Sequence, residues 1–230
     1  MKGRDVFRIL SLDGGGIKGA FTASVVAALE DATGKSLSDY FDLITGTSTG
    51  GIIAIGLGLG LSAKDIVTFY SKSGPTIFPT TSLVTGPRAL LRWLFGPKYS
   101  HDVLKAAIRG VLGVRKFGES KCRLVIPTYD ANAGRIFLLK TAHQERFKFD
   151  YQAPAVDVAL ATSAAPTYFQ AAPFPMHQGA SYVDGGVWAN CPALVGVIEA
   201  VSFLGTTFIA HGDEAFGAPL RVRPRLGRRH

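Results

Sequence analysis

A chain of 230 residues, 47% hydrophobic and 18% charged, is long enough for one domain with a substantial core. Its low charge content suggests a sheet buried on both faces. The formal net charge is +8, but five arginines of the last ten residues (Arg221, Arg223, Arg225, Arg228 and Arg229) supply much of it, so the body is only mildly basic. That argues against a dedicated nucleic-acid binder, and no nucleic acid is expected as substrate.

Two cysteines, Cys122 and Cys191, stand in apolar surroundings and suggest no disulfide framework, so a reducing cytoplasmic setting is the default. No cluster of His, Cys or Asp has metal-ligand spacing, and neither a metal nor another cofactor is expected.

The first residues carry no apolar signal-peptide region. Residues 6–12 read as a strand running into Asp13-Gly14-Gly15-Gly16-Ile17-Lys18-Gly19, with a helix over 18–31 and Gly34 as its stop. Bare N–H groups in such a loop can face an anion at a helix N-terminus. The spacing of Gly14, Gly16 and Gly19 also fits a dinucleotide fingerprint, with Asp39 as the acid it would need, but that reading leaves the later motifs unexplained.

Residues 41–45 read as a second strand, followed by Gly46-Thr47-Ser48-Thr49-Gly50 and a helix to about residue 59. One serine between two glycines is the spacing of a nucleophile elbow, a sharp strand-to-helix turn that projects a hydroxyl from the fold. Residues 43–63 are uncharged for the length of a membrane span, yet their glycine content favours a buried strand, turn and helix. Ser62 opens another helix through residue 70, with Asp65 placed to complete its cap.

Residues 73–99 are rich in Gly and Pro, so no long element is expected throughout. Within them, residues 88–95 (Arg-Ala-Leu-Leu-Arg-Trp-Leu-Phe) read equally as a short core helix or as a lid or membrane-docking surface. Between residues 66 and 118 there are eight Lys or Arg and one acid, Asp102, which reads as a solvated face or as an attraction for anionic lipid head groups.

Ser100 caps a helix to about residue 112. Residues 122–129 and 134–140 read as neighbouring strands, 156–163 as a helix, 181–183 as a short strand and 192–203 as a last helix. Strands alternating with helices imply an α/β layered fold with a central, mainly parallel sheet flanked by helices. The domain is expected to span residues 1–210, with a disordered Arg-rich tail over 211–230.

The strand at 181–183 delivers Asp184-Gly185-Gly186, which alone reads as a tight turn. Beside the other motifs it acquires another meaning. A glycine loop, a G-x-S-x-G serine and an Asp-Gly-Gly aspartate, in that order, resemble the patatin-like phospholipase family. Two further stretches match: Ala161-Thr162-Ser163-Ala164-Ala165-Pro166-Thr167-Tyr168-Phe169 and Gly186-Val187-Trp188-Ala189-Asn190-Cys191-Pro192-Ala193. After the last helix the chain departs from the usual family pattern.

The resemblance implies an acyl hydrolase of membrane lipids, of phospholipase A or lysophospholipase type. Its nucleophile would be Ser48 and its base Asp184, acting without histidine. N–H groups of Gly14, Gly15 and Gly16 would form the oxyanion hole, and Gly19, Gly46, Gly50, Gly185 and Gly186 would be motif glycines. Its partner would be a phospholipid or other lipid ester, met through peripheral contact with a membrane. Two alternatives stand beside it: a soluble carboxylesterase with a Ser-His-Asp triad, for which His177 lies nearest the aspartate in sequence, and a non-catalytic lipid-binding shell. Some bacterial members of the family are switched on by cyclic nucleotides; no motif in this sequence assigns such a site.

Overall fold

The computed structural model describes residues 6–77, 101–166, 168–203, 206–209 and 221–224. In chain order the elements are β1 (Ile9–Leu12), α1 (Gly19–Thr33), α2 (Leu37–Tyr40), β2 (Leu43–Gly46), α3 (Thr49–Gly58), α4 (Ala63–Ile77), α5 (His101–Leu112), β3 (Arg123–Asp130), β4 (Arg135–Lys140), α6 (Ala155–Ser163), β5 (Ala172–Pro173), β6 (Ser181–Asp184), α7 (Ala193–Phe203), β7 (Thr206–Ile209) and β8 (Arg221–Pro224). The fold is α/β: a central sheet with parallel core strands and helices on both faces.

Strands β1, β2 and β3 run parallel, with Ile9 opposite Leu43 and Leu43 opposite Arg123. Strand β4 returns antiparallel along one edge of β3. The other edge of β3 is shared. Strand β2 covers it at residues 123–125, and β6 enters from the opposite direction to cover residues 128–130. The C-terminal ends of β2 and β6 therefore point at one another across a short gap in the ladder. Pro127 stands in that gap. A proline has no N–H to give a neighbouring strand, and between β2 and β6 no strand asks for one.

Leu43, Thr45 and Ile9 face Gly196 of α7, so the alternate residues of β2, Ile44 and Gly46, face α3 on the other side. All ten residues of α3 are buried, which is why the helix is apolar all round. The run at 43–63 is thus a buried strand, turn and helix. No helix among the described residues is long and apolar enough to cross a membrane.

Several expectations shift. The fourth helix runs on to Ile77 rather than stopping at residue 70, through a Gly-Pro pair. Packing overrides that local signal: α4 lies along α1, and Gly74 leaves room for Ile17, whose Cδ1 stands 2.9 Å from where a Cβ would be. Ser62 caps this helix as expected, accepting from the Asp65 N–H at 3.1 Å and donating to its carboxylate at 2.6 Å.

Within the basic run, the Arg115 guanidinium donates to the carbonyls of Leu112, Val111 and Leu59, so this cation closes the C-terminus of α5. In the Arg-rich tail, where disorder was expected, Arg221–Pro224 pair antiparallel with Thr206–Ile209. The stretch at 88–95, Trp93 included, lies outside the described residues, as does the rest of the tail.

Candidate active site

The elbow begins with Thr45, whose hydroxyl donates to the Val125 carbonyl at 2.7 Å and fixes the end of β2. The chain must then reverse into α3 within one residue. Ser48 makes that turn with φ 56° and ψ −125°, and it is the one non-glycine residue of positive φ among those described. Such a conformation costs a side-chain-bearing residue about 1–3 kcal/mol and persists only where its surroundings enforce it.

Those surroundings are visible. The Ser48 N–H donates to Thr162 Oγ1 at 3.1 Å, and Thr162 passes its own hydrogen to the Pro127 carbonyl at 2.7 Å. A Cβ on Gly46 would collide with the Gly50 carbonyl, and one on Gly50 with the Leu12 carbonyl, so both elbow glycines are required by contact. Between residues 43 and 59 every residue is buried except Ser48. The strain and the packing together bring one hydroxyl to the surface.

Asp184 reaches the same place along β6, its Cα opposite Thr128. It is 6% exposed. Its carboxylate accepts the Gly186 N–H at 2.7 Å, and the Ser48 hydroxyl is its side-chain partner. Burial raises the carboxyl above the ordinary aspartate range, and these two hydrogen bonds hold part of that rise back. A Cβ on Gly185 would strike the Pro127 carbonyl, so the first glycine after the acid lets the turn close onto β3.

The glycine loop lies against both. Gly14 sits where a Cβ would stand 3.1 Å from Ser48 Cβ. Its N–H, however, already donates to the Asn190 carbonyl at 3.0 Å. Of the three expected donors, Gly14 is therefore occupied. No acceptor among the described residues takes the N–H of Gly15 or Gly16, which open the short turn Gly16–Lys18 and then α1. Gly19 packs on Thr49 and Tyr70, seating α1 against the first turn of α3.

The described histidines are committed elsewhere. Both ring nitrogens of His177 are engaged, Nδ1 with the Tyr182 hydroxyl at 2.8 Å and Nε2 with Asp150 at 3.0 Å. His143 pairs with buried Glu199, and His101 contacts the Gln170 carbonyl. No group of metal-binding side chains occurs among the described residues.

Motif reading assigned no role to Thr47, Thr162, Trp188 or Asn190. The Thr47 hydroxyl donates to the Ala189 carbonyl at 2.6 Å, and Trp188 Nε1 donates to the Thr128 carbonyl at 2.9 Å. Thr162, Trp188 and Asn190 stood within the matching stretches, and that was their only signal.

Comparison with known proteins decides the lineage. The sequence matches the patatin-like phospholipase family over residues 10–197. The chain belongs to that family. Among its curated relatives, a cGAMP-activated phospholipase of Pseudomonas aeruginosa is 35% identical over 99% of this chain and 68% of its own length. One of Vibrio cholerae is 39% identical over 87% of this chain and 59% of its own. Patatin-like protein 2 of Arabidopsis thaliana is 35% identical over 84% and 52%. The chain thus spans about half to two thirds of the length of these patatin-like relatives. Among solved structures, VipD from Legionella pneumophila aligns with a TM-score of 0.48 and 12% identity, over 80% of this chain and 46% of that one.

Proposed function

We propose that this patatin-like chain is a lipid acyl hydrolase of phospholipase A or lysophospholipase type, working through a Ser48–Asp184 dyad. The observation that carries the reading is the partnership of a strained, surface-reaching serine with a buried aspartate of raised pKa. Among the described residues no histidine stands between them.

In the first half-reaction the Asp184 carboxylate takes the Ser48 proton as Oγ bonds to the ester carbonyl carbon. The carbonyl π electrons move to oxygen, and the N–H groups of Gly15 and Gly16 hold the resulting oxyanion, aided by the dipole of the following helix. Collapse breaks the C–O bond to the alcohol, which leaves with the proton from Asp184. In the second half-reaction water gives a proton to Asp184 and attacks the acyl-enzyme. Collapse returns that proton to Ser48 Oγ and frees the carboxylic acid. A raised pKa suits the first role of Asp184, since a carboxylate of higher pKa takes the serine proton more readily.

The lipid nature of the substrate is supported by the exposed apolar side chains that follow the glycine loop. Ile17 is 48% and Phe21 74% exposed, on the same stripe as exposed Val25. Peripheral membrane contact is part of the proposal on that ground. A cytoplasmic setting accords with two free cysteines, one of them exposed.

The test is lipidomics of membranes incubated with the protein and with its Ser48→Ala form, each with and without cGAMP, since several relatives carry that activation in their names. Free fatty acid and lysophospholipid released only by the Ser48 form support the proposal. Equal profiles from both forms under both conditions overturn it.

A further inference from the structure

The two residues Ala189 and Asn190 touch all three loops of the site. Ala189 receives the Thr47 hydroxyl from the elbow at 2.6 Å. Asn190 accepts the Gly14 N–H on its carbonyl at 3.0 Å and returns its own side-chain Nδ2–H to the Gly14 carbonyl at 3.4 Å. Its Oδ1 lies 2.6 Å from the position a Cβ on Gly14 would take and 3.5 Å from that on Gly186. The side chain therefore wedges between the glycine loop and the turn that follows Asp184. It does so although Asn190 is exposed, where an amide ordinarily moves freely among solvated rotamers.

We infer that Asn190 is a positioning residue, which holds the oxyanion loop in register with Ser48. The inference rests on the Ser48–Asp184 hydrolase reading. Both polar groups of Gly14 are fastened to residue 190, and the next two N–H groups along the chain, those of Gly15 and Gly16, find no acceptor among the described residues. Gly14 has no side chain through which to be held; indeed the Asn190 amide fills the space where one would stand. Released on one side, the loop pivots on the remaining backbone bond, and its donors leave the place where the oxyanion forms. A displacement near 1 Å in such a constellation costs up to about 100-fold in rate. Ground-state binding of a lipid ester depends on apolar contacts and is indifferent to that shift.

Asn190→Ala and Asn190→Asp test this. The aspartate keeps the shape and the acceptor but lacks the hydrogen given to Gly14. Three quantities are measured for both variants and the wild type on a chromogenic ester: kcat, KM, and the affinity of a trifluoromethyl ketone, whose tetrahedral adduct with Ser48 carries an oxyanion. The expected result is a fall in kcat of about 10–100-fold, KM within about threefold, and ketone affinity falling in step with kcat/KM. Melting temperature is read alongside. A variant that merely destabilised the fold would lose active fraction while the remaining sites bound the ketone normally, and that outcome overturns the inference, as does wild-type kcat in both variants. If Asn190→Ala fails to fold, the isosteric Asn190→Asp carries the test alone. Wild-type protein without Ser48-dependent turnover overturns the hydrolase reading and this inference together. Wild-type turnover that survives both substitutions overturns this inference only.

Discussion

Replacing Ser48 by alanine and by glycine separates chemistry from backbone strain. Both variants lack the hydroxyl and should lose turnover by several powers of ten, because the covalent route is gone. Their stabilities should differ in an unusual direction. At an ordinary site glycine is worse than alanine by about 0.5–1 kcal/mol, since it has more freedom to lose on folding. At φ 56° and ψ −125° a Cβ costs about 1–3 kcal/mol, and glycine does not meet that cost. The difference leaves Ser48→Gly more stable than Ser48→Ala by about 1 kcal/mol, up to about 2 where the strain is largest. For a chain of this size 1 kcal/mol moves the melting point by about 2–4 °C. The assay is thermal unfolding of the two purified variants in one buffer. A glycine variant melting at or below the alanine variant would show that the elbow stores no strain, and the account of why Ser48 projects would fall with it.

Asp184→Asn should abolish hydrolysis and yet raise the melting temperature at neutral pH. Burial raises the native carboxyl, so the folded state binds a proton more readily than the unfolded one; that contribution to stability is present in acid and lost as pH rises through the native pKa. The melting advantage of the asparagine variant should therefore shrink toward pH 4, and an advantage independent of pH would contradict the burial argument. In the wild type, kcat/KM should rise with pH along a limb centred above the ordinary aspartate value, unchanged in His177→Ala; a limb abolished by that substitution would restore a histidine base.

Gly46→Ala should cost several kcal/mol or prevent folding, because the methyl meets the α3 backbone. Gly15→Ala, whose nearest neighbour is Lys18 Cβ at 3.3 Å, should fold with a melting point near wild type; soluble expression and melting curves of the pair decide it. Thr162→Val removes the acceptor of the Ser48 N–H and should destabilise by about 1–3 kcal/mol, while Thr162→Ser keeps it. Equal melting of these two would mean that the bond does not hold the elbow.

The elbow and its glycines were legible in the sequence because their requirement is local: a strand-to-helix turn this tight excludes a Cβ at fixed offsets, and the offsets are printed in the chain. The Asp184 turn was legible only in company, since Asp-Gly-Gly closes many turns. Other features are not local. That Gly14 spends its N–H on Asn190 depends on a partner 176 positions away, and periodicity is blind to it. Thr162 supports Ser48 from 114 positions away. The Gly74-Pro75 pair carried a strong stop signal, and the bed of α1 beneath α4 outweighed it. His177 adjoined the aspartate in sequence, but its ring turned out to serve Asp150 and Tyr182.

The meeting of β2 and β6 end to end on one edge of β3 also orders the appearance of activity in time. The glycine contacts of the elbow need only β1, β2 and the helix that follows them, a neighbourhood the chain supplies early, while its supports from Val125 and Thr162 come later. The acid arrives after β3 has reached its place and β6 has come back along the far half of its edge, and the Thr47–Ala189 bond closes a loop of 142 residues. Long closures of this kind are slow to form. During refolding, or behind a ribosome, burial of the elbow should precede reactivity toward a serine-directed phosphonate, and the lag between them would time the docking of the last strand. On the Ser48–Asp184 reading, a chain built this way has no nucleophile–base pair until nearly all of its sheet is assembled.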